Sequence, residues 1–86
     1  SPTKHFFANT GHEVANGFFA YFNAHGGVAS FGSPISGEIP ETDSTGAIHT
    51  VQYFQYARFE YHPELVGTPY EVQLGLLGDE YLGLRR

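Results

Sequence analysis

The chain has 86 residues with no Cys, Met or Trp, and carries four Lys or Arg against nine Asp or Glu, a formal charge of −5. At this length it forms one small domain that buries about 60–65 % of its unfolded surface, too little for a cofactor domain beside a substrate domain. Lack of Cys excludes disulfides, thiolate metal sites and a Cys nucleophile, the scarcity of basic residues speaks against nucleic acid, and no apolar run approaches the ~20 residues of a membrane span.

Residues 1–9 form a leading segment that Phe6 and Phe7 are expected to pin to the core. Thr10-Gly11-His12-Glu13 fits a capping box, with Thr10 as N-cap and Glu13 reaching back. Val14, Phe18, Tyr21, Phe22 and His25 then follow at helical spacing, so the principal helix is predicted from this point to Gly26-Gly27. Gly17 inside that helix costs about 1 kcal/mol against Ala, which implies a ring or backbone packed close to it. Residues 28–42 are rich in Gly, Ser and Pro and read as an ordered loop anchored by Phe31, with a short strand at Ile35–Ile39. Residues 43–47 carry turn chemistry. Strands are predicted at 48–54 and 58–62, the second stopped by Pro63, and a third strand or an extended run at 70–74. The tail from Gly75 is weakly helical. The fold class is therefore α+β: one main helix packed on a small antiparallel sheet of two to four short strands, with Gly- and Pro-rich loops.

The chain echoes itself. Glu13-Val14-x-x-Gly17 recurs as Glu71-Val72-x-x-Gly75, which reads as one repeat-like unit over about residues 10–69 and the start of a second over about 70–82. Absence of Met, position 1 included, leads us to expect a processed chain or a piece of a longer one.

The residue types that carry chemistry are few. Glu60, His62 and Glu64 alternate, the pattern that sets two carboxylates and an imidazole around Ca²⁺, Zn²⁺ or a proton. Pro63 interrupts that strand, so a hydrogen-bonded strand end is expected and no metal site. His12 and Glu13 read as local packing and capping, and His25 as a cation near a helix C-terminus. Asp43-Ser44-Thr45-Gly46 lacks the spacing of a calcium loop. Ser30, Ser33 and Ser36 lack the frame of a nucleophile elbow. No catalytic residue and no cofactor is expected.

Fourteen Phe and Tyr are many for a chain this short. They serve either as core rings or as a Tyr-rich binding face. Alternation sends His49, Val51 and Tyr53 to one face and Ile48, Thr50, Gln52 and Phe54 to the other; Phe59 and Tyr61 oppose Arg58, Glu60 and His62. Phe54, Phe59 and Val51 are expected in the core. Tyr53, Tyr56 and Tyr61, with Gln52 and Arg58, are the candidate ligand-binding residues, because a sugar is held by a flat apolar ring beside planar polar groups.

The order of motifs carries a resemblance. Gly26-Gly27, then Phe31-Gly32-Ser33-Pro34 through Glu38, then Gln52-Tyr53-Phe54 and Phe59-Glu60-Tyr61, resembles the LGFP repeat of bacterial cell-surface and secreted proteins, with Phe31 at the Leu of the motif. Phe7-Ala8-Asn9-Thr10-Gly11-His12-Glu13-Val14 and the later Phe59-Glu60-Tyr61-His62-Pro63-Glu64 are similar to a related module of secreted multidomain bacterial proteins. The resemblance spans about residues 6–75. It implies a non-catalytic accessory module, extracellular or on the cell surface, that accompanies other domains of a parent protein and binds cell-wall glycan or another polysaccharide. A structural spacer or assembly unit is the alternative. No binding residue transfers from the resemblance.

Overall fold

The computed structural model describes residues 3–76. The tail expected to be weakly helical begins instead as extended strand at Gly75 and Leu76, and its remainder, with residues 77–82 of the second echo, lies outside the described residues.

Two strands come first, β1 (Lys4–Phe7) and β2 (His12–Ala15), paired antiparallel with Phe6 opposite Glu13 and His5 opposite Val14. The chain reverses between them where the Thr10 and Gly11 N–H groups both donate to the Phe7 carbonyl. This corrects the expected capping box. Helix α1 runs Asn16–Ala24 and starts only after Ala15, whose backbone is extended. Pairing with β1 satisfies backbone groups of residues 12–15 that a first helical turn would leave open, and β-branched Val14 suits the strand.

A second helix, α2 (Gly27–Phe31), occupies the start of the expected loop and buries Phe31. The strand expected at Ile35–Ile39 forms instead as β3 (Ile39–Thr42), while Pro34 makes an isolated bridge to Phe54. Then follow β4 (Ile48–Tyr53), β5 (Ala57–Tyr61), a 3₁₀ turn at Pro63–Leu65 and β6 (Val72–Leu76). These strands form one antiparallel sheet in the order β3-β4-β5-β6. Pro40 lies on β3, the outer strand of that order, where a missing N–H is tolerated. The fold is thus α+β, with α1 against β5 and β6. The two halves of the echo differ: Gly17 lies in α1, whereas Gly75 lies in β6.

The core is aromatic. Val14, Phe18, Phe22, Phe31, Phe54, Ala57, Phe59 and Val72 form one buried cluster, with Phe7 and Tyr21 packed against it. Phe6 is 59 % exposed, so only Phe7 pins the leading strand. Phe59 lies at the centre, its ring 4.3 Å from Phe54, 4.9 Å from Phe31 and 5.1 Å from Tyr21. Burying each such side chain contributes about 1.5–3 kcal/mol, and edge-to-face pairs add about 0.5–1.5 kcal/mol. The turn Gln55-Tyr56 is tied to the end of α2: Ser33 N–H donates to Gln55 Oε1 at 2.9 Å and Tyr56 N–H to the Phe31 carbonyl at 2.9 Å. Gly32 permits this close approach, since its φ is +79° and a Cβ there would stand 2.5 Å from Gln55 Cβ.

Candidate functional site

The register Val51–Glu60, Gln52–Phe59, Tyr53–Arg58 divides the sheet into two faces. Gln52 and Phe59 point toward α1. His49, Val51, Tyr53, Arg58 and Glu60 point away from it, joined by Glu41, which pairs with His49. Val51 is fully buried but stands outside the main core cluster.

A chain of polar contacts covers this outer face. The Tyr53 hydroxyl donates to Glu41 Oε2 at 2.7 Å, Arg58 Nη2 to Glu41 Oε1 at 2.9 Å, and Arg58 Nη1 to Glu60 Oε1 at 2.8 Å. The other Glu60 oxygen, Oε2, is 2.7 Å from His62 Nε2 and 3.7 Å from His49 Nδ1. Each imidazole is held on its far nitrogen by a second carboxylate: His62 Nδ1 lies 2.9 Å from Glu64 Oε2, and His49 Nε2 lies 2.7 Å from Asp43 Oδ2. Asp43 is itself placed by the β3–β4 turn, as Oδ1 accepts the Thr45 and Ala47 N–H groups and the Thr45 hydroxyl. Pro63 ends the strand as expected, and the 3₁₀ turn it opens brings Glu64 back onto His62.

These contacts set the protonation of the group. The Tyr53 hydroxyl and the Arg58 guanidinium hold the Glu41 carboxyl below its ordinary value. Burial would raise Glu60, but hydrogen bonds from Arg58 and His62 outweigh it and lower it. The Thr45 and His49 hydrogen bonds hold Asp43 well below the carboxylate range. Glu64 raises the His62 imidazole above its ordinary value, and burial only partly opposes this.

A second arrangement lies on the α1 side. The Tyr61 ring packs edge-on against Phe18 at 6.0 Å, and its hydroxyl donates to Glu71 Oε2 at 2.8 Å. That bond raises the Tyr61 phenol above its ordinary value. Beside the ring is a cleft of about 220 Å³ lined by Ala15, Asn16, Gly17, Phe18, Glu38, Thr50 and Tyr61. The first turn of α1 borders it, and Ala15 at the N-cap supplies no capping oxygen. Asn16 adopts a left-handed backbone there, with φ 54°, a conformation Asn tolerates better than most residues. A neighbouring cleft of about 340 Å³ lies across Gly17, lined in part by Tyr21, His25, Thr68 and Glu71. The expectation that Gly17 marks a close approach holds: a Cβ there would stand 2.9 Å from the Tyr61 ring and 3.1 Å from Glu71 Oε2.

The five candidate binding residues are not brought together. Tyr53 and Arg58 meet on the outer face, the Arg58 carbon 6.0 Å from the Tyr53 ring centroid. Tyr61 lies on the opposite face. Tyr56 is 54 % exposed in the β4–β5 turn. Gln52 is fully buried, its Nε2 donating to the Glu13 and Ser36 carbonyls at 2.9 Å each. It therefore serves the core and presents nothing to a ligand, because two main-chain acceptors inside the domain need its amide.

Sequence reasoning missed Asn16, Glu38 and Thr50 at the Tyr61 cleft and His49 beside His62. A signal for His49 was present. A two-residue turn at Gln55-Tyr56 pairs Tyr53 with Arg58, and the same register carried outward sets His49 opposite His62. The two rings lie 4.8 Å apart.

No helix among the described residues is long and apolar enough to cross a membrane. The chain has no significant match among protein-family profiles, curated proteins or solved structures. The likeness to the LGFP repeat rests on its motifs alone.

Proposed function

We propose that this domain is a non-catalytic accessory module of an exported bacterial protein, at or outside the cell surface, and that it holds a polysaccharide in the cleft beside Tyr61. The observation that carries the reading is one open cleft lined by the aromatic residues Tyr61 and Phe18 together with the polar residues Asn16, Glu38 and Thr50. A sugar ring offers C–H groups to an aromatic face and hydroxyls to planar polar groups, and pockets that combine an apolar wall with a few convergent polar groups are the usual form of a ligand site. The neighbouring cleft supplies a second ring, Tyr21, across Gly17, as an extended chain of sugars requires. The motif resemblance supports the bacterial surface setting.

The test is a heteronuclear NMR titration with soluble peptidoglycan fragments and a panel of plant and bacterial oligosaccharides. Saturable shifts at Asn16, Gly17, Glu38, Thr50 and Tyr61, lost in Tyr61→Leu, are expected. Shifts confined to Tyr53, Tyr56 and Arg58 would move the site to the outer face, and no shift with any sugar at millimolar concentration would remove the reading.

A second reading, an assembly unit that stacks on a neighbouring domain, is favoured by the exposure of Val66, Tyr70 and Leu74 at 64 %, 66 % and 41 %. It predicts a concentration-dependent sedimentation coefficient instead of sugar binding.

A further inference from the structure

We propose that His49, Glu60 and His62 form a binding site for a divalent transition metal ion, with zinc the best fit, on the outer face of the sheet. One donor atom from each residue lies within 4.8 Å of the others. The donors come from neighbouring strands and their margin: His49 from β4, Glu60 from β5, and His62 just beyond its end. A hydrogen-bonded ladder, not a loose loop, therefore sets their spacing.

The orientation of the two rings is the more telling observation. Asp43 engages His49 at Nε2 and Glu64 engages His62 at Nδ1, so the nitrogens left over, His49 Nδ1 and His62 Nε2, both face Glu60 Oε2. A carboxylate on the far nitrogen is the arrangement that fixes the tautomer and aim of a metal-ligating imidazole. Glu60 is fixed in the same way: Arg58 holds Oε1 at 2.8 Å, which leaves Oε2 for the ion. Side-chain adjustments complete the site. A tetrahedral ion with bonds near 2.0–2.2 Å needs donors about 3.3 Å apart. The His49–Glu60 spacing of 3.7 Å needs little change, the His62–Glu60 spacing of 2.7 Å opens as the ion replaces the hydrogen bond between them, and the two imidazole donors, within 4.8 Å of each other, close by up to about 1.5 Å through ring rotation.

Two imidazoles and one carboxylate suit zinc and its neighbours, whereas Ca²⁺ and Mg²⁺ require mainly oxygen donors. The side chains of His49, Glu60 and His62 are 16 %, 19 % and 11 % exposed, enough for an ion to enter and for water to fill a fourth position. Among the described residues, Glu41, Asp43, Glu60 and Glu64 surround the site against one guanidinium, that of Arg58, so the local charge favours a cation. The site stands on the face opposite the Tyr61 cleft and does not depend on the polysaccharide reading.

The test is a titration of the full, chelator-treated chain with zinc chloride at neutral pH, followed by calorimetry and by NMR of the histidine rings. One zinc per chain is expected, with the His49 and His62 ring signals shifting together while those of His5, His12 and His25 stay in place, and with EDTA reversing the change. His49→Gln and His62→Gln should each abolish binding. Glu64→Ala, which removes only the support of His62, should weaken it about 10–100-fold. The wild-type ring signals report the site even if a variant fails to fold. Absence of binding up to millimolar zinc, shifts at the other histidines instead, or unchanged affinity in a folded His49→Gln, His62→Gln double variant would overturn the proposal.

Discussion

The Tyr61 hydroxyl and the Glu71 carboxylate are bonded at 2.8 Å where a side chain on residue 17 would otherwise reach, and Gly17 lines both clefts. Replacing Gly by Ala inside an unobstructed helix stabilises by about 1 kcal/mol. Here the new methyl must displace both partners of a hydrogen bond, and overpacking costs about 1–3 kcal/mol. Gly17→Ala is therefore expected to lower stability by about 1 kcal/mol, a fall of about 4–8 °C in Tm for a domain of this size. Thermal unfolding checks this, and a rise in Tm would show that the gap is not held by the Tyr61–Glu71 pair.

Gln52 separates a core role from a binding role. Gln52→Ala leaves the Glu13 and Ser36 carbonyls, both part-buried, without this donor. Each buried polar group so orphaned costs about 1–3 kcal/mol. A marked drop in the urea midpoint is expected, with sugar affinity of the remaining folded protein unchanged.

Phe59 carries the centre of the core. It is fully buried against Phe18, Tyr21, Phe31 and Phe54. Phe→Ala at such a site costs about 3–5 kcal/mol, a large part of the stability of a chain this size. Phe59→Ala is expected to populate the unfolded state at room temperature in far-UV circular dichroism, whereas Phe59→Leu stays folded with a lower Tm.

Acid should unfold the domain through its outer face. Glu41 and Glu60 have carboxyls held below their ordinary value of 4.5 in the folded state. Their contribution to stability is present in full above that value and is lost as pH falls through the lower folded values. The urea midpoint is expected to fall steadily on acidification below about pH 5. Glu41→Gln should lower the midpoint at neutral pH and flatten that slope, and an unchanged slope would assign the acid sensitivity to other groups.

The local pattern of residues is enough for part of this architecture. The β-branched and aromatic run at 48–54, the Pro63 stop after 58–62 and the spacing of Phe18, Tyr21 and Phe22 mark β4, β5 and the buried face of α1. Each is a short-range preference that the rest of the chain reinforces. The turn at 43–47 is equally local, because Asp43 binds its own neighbours. Residues 12–15 are different. Thr10 and Glu13 stand at capping-box spacing, yet the partner strand Lys4–Phe7 captures the same backbone groups first, and a competition between two ways of satisfying N–H donors is decided by what lies across the space. The same holds for the sites. Tyr53 and Tyr61 look alike along the chain but fall on opposite faces, and His49 joins His62 only through the β4–β5 register. Asn16, Glu38 and Thr50 come from three separate segments that meet at Tyr61 when α1 packs on the sheet. Residue type and alternation decide which side chains turn inward or outward. Register and packing decide which of them meet, because those contacts span tens of residues and no local preference encodes them.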